Sequence, residues 1–274
     1  MKPCILTVKR GRYYCEQHKR YCVLDKNRTT PTYQCPMRGE VIKIRAKKKR
    51  VPKALEAAFN SVYTFTDTLR GILGKCGFVE GCKIARMLVH WKGEVERLVG
   101  TEGQRPVDVA ANMHTAIDTL IEEDKRRSPD EYEKVRCSKG CAFCCELYVT
   151  VTEQEAELLV EGAKENGWEI DRARLEKQIS FTDGKAWAAA PREERRCVFL
   201  AENGTCAVYE YRPMACRCLF VFSEPSECNV ETSKHVWRLA VIEAEVATTA
   251  AITVLGTGSL AEMVRAKLGQ SGVL

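Results

Sequence analysis

Cys137-Ser138-Lys139-Gly140-Cys141-Ala142-Phe143-Cys144-Cys145 sets four thiols within nine residues. A cysteine used as a small core residue has no reason to recur at such turn-like gaps. Metal ligation does supply a reason, because a thiolate is a soft ligand for zinc, copper(I) or iron–sulfur clusters, and short gaps let one loop offer several sulfurs to one ion. Further along the chain stand Cys197, Cys206, Cys216, Cys218 and Cys228. The reading of these two stretches decides the fold: the C-terminal half is expected to close around bound metal.

Fifteen cysteines in 274 residues make an odd total, which argues against a fully paired disulfide framework. The start of the chain has no apolar core long enough for an export signal, since Ile5 to Val8 are followed at once by Lys9-Arg10. Reduced thiols and a cytoplasmic location are therefore expected. The longest apolar run, Val241 to Leu255, is interrupted by Glu243 and Glu245 and is too short to span a bilayer, so no membrane association is expected.

Charge is divided unevenly. Residues 1–53 carry sixteen Lys/Arg against three Asp/Glu, and the remainder carries twenty-seven against thirty-four. A basic module beside an acidic body points to an anionic partner for the module. Within it, Cys15-x2-His18-x3-Cys22 followed by Cys35 supplies a Cys3His set that would close a tetrahedral zinc site, with Cys4 as a substitute ligand. So short a segment buries too little apolar surface to fold alone, and a metal would act as its staple. The run Lys47-Lys48-Lys49-Arg50 before Pro52 reads as an exposed linker that can reach phosphates but lacks interleaved aromatics for base stacking.

From Leu55 to Leu73, from Ile84 to Leu98, and from Pro106 to Arg127, apolar residues recur every three or four positions, which predicts three helices. Cys76, Cys82, His90 and His114 fall among them and read as core or turn residues. Leu147, Val149 and Val151 alternate as in a short strand. Thr152-x2-Glu155 then opens a helix ending near Asn166-Gly167, and Asp171 caps another through Leu175 and Ile179. Residues 182–194 read as a loop anchored by Trp187.

Asn203-Gly204 between Cys197 and Cys206 signals a β-hairpin. A two-residue turn there would leave the two cysteines about 13 Å apart along one face, serving different parts of the site. A long helix is expected from Glu231 to Leu255, carrying His235 near the cysteines, and a last helix from Leu260 to Leu268. The expected fold class is α+β and mainly helical. It comprises a basic Cys/His zinc-binding-like module (1–50), a helical layer (51–130), a cysteine-cluster metal-binding domain with a β-hairpin (131–230) and C-terminal helices (231–274).

The order Cys137-x3-Cys141-x2-Cys144-Cys145, then Cys197-x8-Cys206-x-Val208-Tyr209-x2-Arg212-Pro213-x2-Cys216, resembles the YkgJ-type cysteine-cluster family, the CxxCxxCC zinc- or iron-chelating domain. The resemblance covers residues 137–228. It implies eight metal-binding cysteines, which by position are Cys137, Cys141, Cys144, Cys145, Cys197, Cys206, Cys216 and Cys228. The extra Cys218 leaves open which of Cys216, Cys218 and Cys228 complete the set. Eight thiolates would satisfy two four-coordinate ions, or one iron–sulfur cluster and a zinc ion. The spacing differs from the ferredoxin run, and ligand type alone does not choose zinc over iron.

Three functions follow as expectations. The first is a cytoplasmic metal-binding protein holding zinc, iron or an iron–sulfur cluster. The second is an iron–sulfur-dependent protein-modifying enzyme similar to the flagellin lysine N-methylases, which carry a similar cysteine domain; no Gly-rich nucleotide loop or readable acid/base pair accompanies it here. The third is a zinc-stabilised nucleic-acid-binding protein that docks through the basic N-terminus.

Overall fold

The computed structural model describes residues 78–138, 140–229, 231 and 236–270, together with the backbone of six short strands between residues 6 and 42. The chain divides into two compact units, Met1–Val51 and Pro52–Leu274. In the first, Leu6–Lys9, Arg12–Cys15 and Arg20–Tyr21 form one antiparallel three-stranded sheet, and Val23–Asp25, Thr32–Gln34 and Val41–Ile42 form another. Cys15 closes its strand opposite Leu6 and Arg20. The expected helix at 55–73 and residues Cys4, His18, Cys22, Cys35 and His235 lie outside the described residues, and no side chain is described at Cys15.

The second unit is mainly helical. Helices α1 (Phe78–Val99) and α2 (Pro106–Arg127) stand where the apolar periodicity predicts them, and Pro106 fits the first turn of α2 because its missing N–H has no helical partner to lose. Both pack on the helix Ile242–Leu255. Ala244, Val246, Ala247, Ala250 and Ala251 of that segment are completely buried. Small side chains on several of its faces let neighbours approach closely, so it serves as the axis of the layer. Val95, Met113, Ile117 and Ile121 meet it in one apolar cluster that also takes in Met214 and Cys218.

A second cluster lies between α3 (Glu153–Glu165), α4 (Arg172–Ile179) and the C-terminal helix Leu260–Gln270. Leu159, Leu175 and Val264 come from these helices, and Val198, Phe199 and Val208 come from the cysteine-rich segment. Phe199 is 1% exposed, and burying a side chain of that size stabilises by roughly 1.5–3 kcal/mol. Thr152 and Glu155 form the expected capping box at the start of α3: the Thr152 hydroxyl accepts the Glu155 N–H at 3.2 Å, and the Glu155 carboxylate accepts the Thr152 N–H at 3.0 Å. Asp171 caps α4 through the N–H of Arg174 at 2.9 Å.

Several expectations need correction. The helix read from Glu231 starts only at Ile242. Before it, Arg238–Leu239 pairs antiparallel with Phe220–Val221, so backbone groups that a helix would have used are spent on a two-stranded ladder. The strand read at 147–151 shortens to Thr150–Val151, paired with Gly258–Ser259. Residues 182–194 hold two helical turns, Gly184–Ala189 and Arg192–Arg195, the first capped by Asp183 accepting the N–H groups of Lys185 and Ala186 at 2.8 Å. Trp187 does anchor this stretch: it is buried and donates its indole N–H to the Glu146 carbonyl at 2.8 Å.

The hairpin also differs. Leu200, not Ala201, faces Cys206, across a single bridge. The Gly204 N–H bonds to the Ala201 carbonyl at 3.0 Å and the Ala201 N–H to the Thr205 carbonyl at 2.9 Å, with Gly204 at φ 78°. This is a three-residue loop with glycine in the left-handed position, the alternative geometry that an Asn-Gly pair also serves.

Candidate metal centre

Three backbone contacts bring the two cysteine stretches together. The Cys197 N–H bonds to the Cys145 carbonyl at 2.8 Å, and the Arg136 N–H bonds to the Val221 carbonyl at 2.8 Å. The tip of the hairpin lies on the first loop so closely that a Cβ on Gly204 would stand 2.9 Å from the Gly140 carbonyl oxygen. Both glycines have positive φ. Gly204→Ala therefore combines a left-handed backbone penalty of about 1–2 kcal/mol with a clash against main chain that has no side chain to move aside. A stability loss of about 2 kcal/mol or more is expected in urea unfolding, and a midpoint equal to that of the parent would refute the contact.

Within the first loop the Cys141 N–H bonds to the Ser138 carbonyl, and Phe143–Glu146 forms one 3-10 turn holding Cys144 and Cys145. Cys197 is held from behind by Gln178, buried at 1% exposure, whose amide donates to the carbonyls of Glu194 and Arg196 at 2.8 Å. Cys216 rides on the Met214–Arg217 turn. The Arg217 guanidinium braces that turn, donating to the Arg212 carbonyl at 2.8 Å, the Asp118 carboxylate at 2.5 Å and the Glu210 carbonyl.

All nine described cysteines from Cys137 to Cys228 are free thiols. Burial pushes the Cys197 thiol up to about 12, with the neighbouring charges of Cys206 and Cys144 adding to it. Cys216 is raised by burial and then by Cys197, Cys144, Cys206 and Glu155. Cys228 is raised by burial and then by Cys141, Cys137 and Cys144. Cys137 and Cys206 also rise, chiefly through burial. Cys144 moves the other way, to about 7, because the adjacent Cys145 thiol hydrogen-bonds to it, and Cys145 rises for the same reason. The Arg212 guanidinium, stacked 4.3 Å from the Tyr209 ring centre, lowers Cys137, Cys144 and Cys206.

These influences sort the eight thiols. Cys141 acts on Cys137, and both act on Cys228; Cys197 and Cys216 act on Cys145, Cys206 acts on Cys197, and Cys197 and Cys206 act on Cys216; Cys144 acts on members of both sets. The two-residue turn that would set Cys197 and Cys206 apart is not formed, and the Cys206 thiol acts on Cys197. Residues 197–200 curl into a turn, with the Leu200 N–H on the Cys197 carbonyl at 3.0 Å, and do not run out as a strand. Among the described residues, no three Cys, His, Asp or Glu side chains already stand around one point as a metal would require. The donor set nevertheless fits a soft cation: burial first and neighbouring thiols second disfavour the thiolate forms, and a positive ion would offset both.

Cys218 does not belong to the crowd. It is buried among Met113, Ile117, Met214 and Val241, with its sulfur 3.7 Å from the Thr248 hydroxyl. Burial raises it to about 12, and the charged groups acting on it are Glu245, Asp118 and Arg212.

Sequence reasoning treated Glu155 as a cap and His114 as a core residue, and missed that they meet. Glu155 is 2% exposed, yet its carboxylate accepts from Thr152 N and the Thr152 hydroxyl on one oxygen, and from Met214 N at 2.7 Å on the other, which lies 3.2 Å from His114 Nε2. One buried carboxylate thus ties α2 and α3 to the turn bearing Cys216.

Residues 136–235 match the family model described as CxxCxxCC: Putative zinc- or iron-chelating domain. The matched span contains all eight of these thiols and covers a little over a third of the chain. A general metal-binding role for this segment is supported by the match. No curated protein and no solved structure matches the chain. No helix among the described residues is long and apolar enough to cross a membrane.

Proposed function

We propose that the CxxCxxCC segment chelates zinc or iron through two four-thiolate groups. The inner group is Cys145, Cys197, Cys206 and Cys216; the outer is Cys137, Cys141, Cys144 and Cys228, with Cys144 placed to be shared. The observation that carries this reading is the Cys197 N–H to Cys145 carbonyl bond, which locks the remote second stretch onto the first. The outer group contains Cys137 and Cys144, the two exposed cysteines among the described residues, and suits an ion that exchanges or changes oxidation state. Cys197 and Cys206 of the inner group pack against the cluster that holds Val198, Phe199 and Val208, and the group suits a structural ion. Cys15, His18, Cys22 and Cys35 are proposed as a separate zinc set of the N-terminal unit.

Elemental analysis and an absorption spectrum of anaerobically purified protein test the proposal. About two metal ions are expected in the 137–228 segment, colourless if zinc and brown with acid-labile sulfide if an iron–sulfur cluster is present. Protein that stays metal-free after reconstitution with zinc and with ferrous iron and sulfide refutes it. Binding must displace thiol protons, so metal release on acidification is part of the same expectation.

A further inference from the structure

Tyr209-x2-Arg212-Pro213 lies between Cys206 and Cys216, and chelation by thiols leaves its arginine without a task. The main chain around it is fixed from both sides. The Tyr211 hydroxyl bonds to the Glu165 carboxylate of α3, and the Arg217 guanidinium donates to the Arg212 carbonyl at 2.8 Å and to the Glu210 carbonyl. So held, the Arg212 side chain is partly buried, with its guanidinium carbon 4.3 Å from the centre of the exposed Tyr209 ring. Among the described residues that guanidinium has no hydrogen bond and no carboxylate partner. Arg174 differs: it also favours a charged thiol, at Cys197, but it is paired with Asp171 at 3.2 Å.

A guanidinium does not give up its proton, and drawing it out of water without an anion is costly. The aromatic face supplies only part of the compensation. The thiols its charge reaches are Cys137 and Cys144 of the outer group and Cys206 of the inner one, and it favours the charged form of each. The partner that Arg212 lacks is therefore negative and shared between the groups. Metal loading creates such a partner, because four thiolates outweigh the charge of a divalent ion. We infer that Arg212, stacked on Tyr209, is the counter-charge of the thiolate centre, a positioning residue that ligates no metal itself but holds the loaded, anionic form of both groups. The inference rests on the four-thiolate groups proposed above and adds the residue that sets how tightly they keep their ions.

The test is the affinity of the full chain for zinc, or for ferrous iron where the parent retains that instead, measured by competition with a colorimetric chelator. Arg212→Gln, which removes the charge, should weaken it about 10–100-fold, the usual cost of losing a group just behind the ligands. Arg212→Lys should recover the greater part, since an ammonium restores the charge without the flat stacking face. Urea unfolding separates this role from packing. In the metal-free chain burial favours the neutral forms of Cys137 and Cys206, so Arg212 has no anion to hold. The metal-free midpoint of Arg212→Gln should therefore equal or exceed that of the metal-free parent, while the metal-loaded midpoint falls. Arg212→Lys binding as weakly as Arg212→Gln would overturn the inference. So would a metal-free midpoint lowered as much as the metal-loaded one, which would make the arginine a packing residue of its turn. A parent that binds metal, with Arg212→Gln equal to it in affinity, would overturn this inference alone. A parent that takes up neither ion would overturn the thiolate assignment and this inference with it.

Discussion

Replacing Cys197 and Cys216 together with serine is expected to empty the inner thiolate group, roughly halving the metal content of the 137–228 segment and lowering its thermal stability sharply. Structural thiolate sites contribute about 10 kcal/mol or more of binding free energy that is also folding free energy, and two lost ligands leave too few to hold the ion. The segment keeps part of its own core through Val198, Phe199 and Val208, so complete unfolding is not expected. A loss on the order of 4 kcal/mol remains, which in a unit of this size lowers Tm by about 10 °C. Cys218→Ser is the control, because its sulfur lies with Thr248 and the Met113 cluster. It should leave metal content unchanged while costing some stability. If the double variant retains its full metal complement and Cys218→Ser does not, the assignment of the inner group is wrong.

Glu155→Ala carries the second large effect. The carboxylate satisfies Thr152 N and Met214 N from inside the core and faces His114 across two helices. Removing it strands these groups in a dry cavity, and breaking a buried charged network of this kind costs about 3–5 kcal/mol. Glu155→Gln separates charge from shape: it keeps the volume and much of the hydrogen bonding, so its cost should be smaller. Its pH dependence should differ as well. Burial opposes the charge of Glu155, but the hydrogen bond and charge of His114, with the Thr152 and Met214 N–H groups, outweigh it and hold the carboxyl below its ordinary 4.5. A folded value below the unfolded one means that the group stabilises the fold above about pH 4.5 and loses that contribution as acid brings it through the lowered folded value. Chemical unfolding between neutral pH and pH 3 should therefore show a steeper acid decline in the parent than in Glu155→Gln, and parallel curves would remove the carboxylate from the account.

Much of this architecture was legible before any coordinates. Pro106 with its run of apolar residues marks α2, and Thr152-x2-Glu155 marks the start of α3, because helix signals are carried by neighbours three and four residues apart. The cysteine order marks the segment that the chelating-domain family matches. The helix expected from Glu231 failed for a related reason: apolar periodicity there was real, but a strand partner at Phe220–Val221 competes for the same backbone and is invisible to local pattern.

By itself, then, the sequence determined which residues form the long helices, where two of them are capped, and that thiols gather in two stretches suited to soft metal. Tertiary structure alone decided which thiols lie near enough to act on one another. It curled residues 197–200 into a turn and buried Cys218 beside Thr248. It also sent one carboxylate oxygen of Glu155 to Met214, 59 residues away, and buried one oxygen of Glu146 without a hydrogen-bond partner. The physical reason is range: caps and periodicity are settled within a turn of chain, whereas a sulfur's neighbours and a buried carboxylate's partners are settled by which helices and turns pack together.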